Sequence, residues 1–185
     1  NIYEMNAFDD PIEETQASLS IAKEAFKQWQ AGESEPVVAL QRISQAASQL
    51  EVTRAIWMET ARQGVSRLST RTERELLNFC ELVKGIDNQK DYGVSLLEHV
   101  LKDALLSLDA GLALTHSQDG KETVSSVLDS CTIVLAIKSA LLETLSLKAT
   151  IEANGQATSQ VEELKKRHAV VTSLQERLQA AVDSD

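Results

Sequence analysis

Proline and glycine are scarce in this chain. Two prolines stand in 185 residues, Pro11 and Pro36, and both lie near the start of an apolar-periodic run. An interior proline removes a backbone hydrogen bond and clashes with the preceding turn, so its absence elsewhere leaves long helices uninterrupted. Gly32, Gly85, Gly120 and Gly155 fall between apolar runs, where glycine's backbone freedom suits a helix stop. Aromatics are 4% of the chain. The core is left to Leu, Ile, Val and Ala, which suit closely spaced helices better than a broad sandwich. Cysteine is limited to Cys80 and Cys131, both inside apolar runs. They read as buried thiols in a reducing compartment rather than a disulfide, and no Cys/His spacing suggests a metal site.

Positive charge is also short. The net charge of −10 repels nucleic acid and anionic lipid over most of the surface, so either would need a local basic patch. Nucleic acid is therefore not an expected partner. Long apolar runs are missing as well. The longest, Cys131 to Leu142, is about 12 residues and contains Lys138, against about 20 for a spanning helix. A core helix is expected there, and no transmembrane segment. Asn1-Ile2-Tyr3-Glu4 has no basic n-region, so it is not read as a signal peptide. The chain opens without Met and is read as a fragment of something longer. The placement expected from these features is cytoplasmic, with peripheral membrane attachment as the variant. The hydrophobic fraction of 43% and charged fraction of 25% are ordinary values. They support one all-helical domain over residues 1–185, with residues 1–9 as a flexible lead.

What is present is helical periodicity, enough for a bundle of about five helices with long antiparallel coiled-coil-like members. The first is expected from Pro11 to Ala31, with Asp10 as N-cap, Glu13 three residues on and Gly32 as the stop. Its apolar face reads Ile12, Leu19, Ala22, Phe26 and Trp29. The second starts at Glu35-Pro36 and is expected to reach Lys84, about 73 Å at 1.5 Å per residue. Leu40, Ile43, Ala47, Leu50, Trp57, Ala61 and Gly64 form its stripe, which then shifts to Val65, Leu68, Thr72 and Leu76. A third helix is expected from Asp91 to Ser117. A fourth, from Glu122 to Ala153, is apolar nearly all round in its middle. The fifth, from Gln156 to Val182, carries the cleanest heptad: Val161, Leu164, His168, Val171, Gln175, Leu178 and Val182. A two-residue stripe of that kind suits a helix–helix or dimer seam.

Few constellations point to chemistry. Arg67, Arg71 and Arg74 are spaced by four and three, which sets three guanidinium groups on one helical face as candidate contacts for lipid phosphates or an acidic partner. Glu73 and Glu75 beside them equally suit a solvated face. Lys165-Lys166-Arg167-His168 follows Glu162 and Glu163, a pattern that supports the helix through i,i+3 and i,i+4 ion pairs. Asp87, Gln89, Asp91 and Glu98 fall on positions 1, 3, 5 and 12 of a calcium loop, but the glycine is Gly93 at position 7, where the turn needs it at position 6. His99 and His116 have no carboxylate or cysteine at a metal-face spacing. No nucleophile–base pair or phosphate-cradling loop is evident, so no catalytic residue, metal ligand or cofactor is implied.

The stretch Val127 to Lys166 resembles the second helix of BAR domains of the sorting-nexin type, through Leu135, Ile137, Ala140, Leu141 and Leu142 and the charged half that follows. The resemblance implies a crescent dimer of three-helix coiled coils on curved endosomal membranes, with Arg67, Arg71 and Arg74 as candidate lipid contacts. Three readings follow. The first is a non-enzymatic scaffold acting through a protein partner or self-association. The second is a BAR-like membrane-curvature module. The third is a ligand-binding or sensory bundle lined by the apolar helix.

Overall fold

The computed structural model describes residues 10–65 and 121–183. These form four helices: α1 Pro11–Gln30, α2 Pro36–Val65, α3 Lys121–Glu152 and α4 Ser159–Asp183. Among the described residues there is no strand, and the all-α class holds. The helix expected over residues 91–117, the continuation of α2 to Lys84 and Cys80 lie outside them.

Local chemistry sets the ends. Asp10 sits in extended backbone and its Oδ1 accepts from the Ile12 amide at 2.9 Å, with Pro11 as the first helical residue. Glu13 and Glu14 place negative charge at the positive end of α1. At the other end Gly32 takes φ 76. Its amide donates to the Trp29 carbonyl at 3.1 Å, and the Glu33 amide reaches the Gln28 carbonyl at 2.9 Å. That pair of bonds is a Schellman stop. α3 ends the same way. The Asn154 amide donates to Ile151 and the Gly155 amide to Thr150, both at 2.9 Å, with φ of 55 and 81 at the two turn residues. Asn154 thus holds the left-handed cap position and Gly155 follows it. α4 begins at Ser159, later than the expected Gln156, because the Thr158 hydroxyl caps it by accepting from the Val161 amide at 3.2 Å.

The chain divides into two compact units, Asn1–Arg54 with Ala136–His168, and Ala55–Leu135 with Ala169–Asp185. In the first, a small-residue core joins α1, α2 and α3: Ala22 and Ala25, Ala39, Ile43 and Ala46, and Ile151. Phe26, Trp29, Leu40 and Leu147 close its edge, with the Phe26 and Trp29 rings 5.6 Å apart. The buried residues of α1 are Thr15, Ser18, Ala22 and Ala25, stepping by three and four. The apolar face expected there is therefore corrected. Ile12, Leu19, Phe26 and Trp29 are half-buried flanks, and small side chains make the seam, which lets helix axes approach closely.

The stripe of α2 is corrected by one position at two places. Ala39, Ile43, Ala46, Leu50 and Thr53 are buried in 4-3 steps, while Leu40 and Ala47 are half-buried. Hydroxyls can occupy these seams because they bond within their own helix. Thr15 donates to the Pro11 carbonyl at 2.6 Å, Thr53 to Gln49 at 3.0 Å and Thr144 to Ala140 at 2.8 Å.

α3 supplies the large aliphatic side chains. In the first unit it buries Ile137, Ala140, Leu141, Leu142, Thr144, Ser146, Ala149 and Ile151. In the second it buries Ser130, Cys131, Thr132, Val134 and Leu135, five of six successive residues, so more than one face is covered. Cys131 is buried and in no disulfide. Within Asp129–Glu152 this helix is long and apolar enough to cross a membrane, its 18-residue window having mean hydropathy 1.5, and 61% of that window is buried inside the protein. The shorter run counted from Cys131 stopped at Glu143.

Candidate functional site

The heptad of α4 is turned inward. In the first unit Val161 is buried, and Leu164 and His168 are half-buried. In the second, Val171 and Leu178 are buried and Gln175 is half-buried, with Val170 and Leu174 buried beside them. Leu174, at 0% exposure, takes the central place that the heptad count assigned to Gln175.

His168 belongs to a polar junction in the first unit. Glu143 of α3 accepts from Lys23 Nζ of α1 at 3.2 Å, and its other oxygen lies 3.9 Å from His168 Nε2 of α4. One carboxylate on the apolar helix thus meets groups from two others. The three side chains are 30% to 55% exposed, so solvent screens the junction and it contributes at most about 1 kcal/mol. In the neighbouring basic cluster, Arg167 Nε lies 3.4 Å from Glu163 Oε1 at i,i+4, and Lys165 and Lys166 are exposed. Arg67, Arg71 and Arg74, the Asp87–Glu98 loop, His99 and His116 lie outside the described residues. Among the described residues no group of three or more His, Cys, Asp or Glu stands close enough to hold a metal ion.

The surface that sequence patterning missed is the outer side of α2. Behind its buried seam, the helix presents Val37 at 70% exposure, Val38, and Val52 at 55%. Between these valines the open face of the helix is formed by Gln41, Ser44, Gln45, Ser48, Gln49 and Val52. Val38, Gln41, Gln45, Ser48 and Val52 are spaced by three, four, three and four, the period of a second seam on the same helix. No charged residue occurs from Ile43 to Leu50, although charged residues are 25% of the chain. Arg42 and Glu51 bound the stretch. Both are tied sideways, Arg42 to Gln28 Oε1 at 2.9 Å and Glu51 to Arg54 at 3.0 Å. The signal was legible as a charge-free window, but a search for a single apolar stripe passes over it.

The segment with the BAR-like pattern holds two helices. α3 ends at Glu152, Asn154 and Gly155 turn the chain, and α4 starts at Ser159. The resemblance implies one helix through Val127–Lys166. No family model, curated protein or solved structure matches this chain.

Proposed function

We propose that the chain is a non-enzymatic helical scaffold that works by helix-to-helix contact with a protein partner or a second copy of itself. The observation that carries this reading is the second 4-3 row of α2, Val38, Gln41, Gln45, Ser48 and Val52, lying outward and free of charge. Depletion of charge is one compositional mark of an interface centre. A row at coiled-coil period accepts another helix along its length. The inward packing of the α4 heptad moves the proposed contact from α4 to α2. Cytoplasmic placement goes with the buried thiol of Cys131.

The test compares the parent with Gln45→Glu/Ser48→Glu. Both positions are on the surface, so helix content by circular dichroism should be unchanged. Sedimentation velocity and capture from lysate are run on both proteins. The expected result is self-association or specific capture by the parent that the doubly charged variant loses. A parent that stays monomeric and retains nothing beyond what the variant retains would overturn the proposal.

A further inference from the structure

We draw no further inference here: the strongest candidate, the outward row of α2 from Val38 to Val52 as the seat of one particular partner, is an unpartnered helix face, and nothing in the structure shows what covers it.

Discussion

Two neighbouring alanines on α2 test the packing register. Ala46 is buried among Ala22, Ala25, Ala39, Ile43 and Ile151, whereas Ala47 is half-buried and stands outside that cluster. Ala46→Leu and Ala47→Leu make the same chemical change one residue apart. Their effect on intrinsic helix propensity is equal and small, so a difference between them reports packing. Leucine at 46 adds three carbons to a seam built for methyl groups. Overpacking of this kind costs about 1–3 kcal/mol. Leucine at 47 extends along the edge, where the change stays within about 0.5 kcal/mol. Urea unfolding followed by helix signal reads the difference. With a slope of about 2 kcal/mol/M, the midpoint of Ala46→Leu falls by about 0.5–1.5 M while that of Ala47→Leu holds. Sedimentation of both variants guards against association through the new side chain. Equal midpoints, or a larger loss at 47, would refute the assigned register and restore the stripe through Leu40 and Ala47.

Other outcomes follow from the same packing. Leu141→Ala empties a fully buried site on α3 and should cost about 2–5 kcal/mol by denaturant unfolding, as should Leu135→Ala; stability within about 1 kcal/mol of the parent for both would show that α3 is not the core. Gly155→Ala meets nothing closer than Trp29 Cη2 at 3.8 Å, so its cost is the left-handed backbone at φ 81, about 1–2 kcal/mol, read as a lower Tm; an unchanged Tm would show that the turn relaxes freely. Charge reversal at Arg67, Arg71 and Arg74 should leave co-sedimentation with anionic vesicles unchanged if the scaffold reading holds; strong vesicle binding that the reversal abolishes would favour the membrane-surface reading instead.

The helix ends were readable because caps are local. Asp10-Pro11, Gly32, Pro36 and Gly155 mark the boundaries of α1, α2 and α3 to within a residue or two, each through a bond or dihedral that depends on its own neighbourhood. Thr158 carries the same kind of information for α4, through a hydroxyl that accepts from the Val161 amide. The interior registers were less readable. Counting apolar size favours Leu19 and Leu40, but where helices lie close together the seam goes to the smallest side chains, as with Ser18 and Ala39. Thr15 and Thr53 look polar in sequence and are buried, because a hydroxyl bonded to the carbonyl four residues back has little left for water. Glu143 ends the apolar run counted from Cys131 but not the helix, which reaches Glu152, and Lys23 of α1 and His168 of α4 meet its carboxylate.

The composition of α2 bears on the proposed contact. A helix face left in water is best served by Glu, Lys and Arg, which have good helix propensity and can form i,i+4 pairs. From Ile43 to Leu50 the outward positions are Ser44, Gln45, Ser48 and Gln49. Serine is a poorer helix former, and none of these side chains can form an ion pair. The inward positions Ala39 and Ala46 each bury little more than one methyl group, worth about 0.8 kcal/mol, while Ile43 and Leu50 are fully buried and contribute roughly 1.5–3 kcal/mol each. Helix propensity accounts for Gln41, Gln45 and Gln49, which rank with Glu and Lys, but not for Ser44 and Ser48. On the scaffold reading proposed above, such an uncharged row suits the approach of another helix because no charge is buried by it. On that same reading, the serines of the outer row would play the part that alanine plays on the inner seam, with a partner helix where α1 and α3 lie inside.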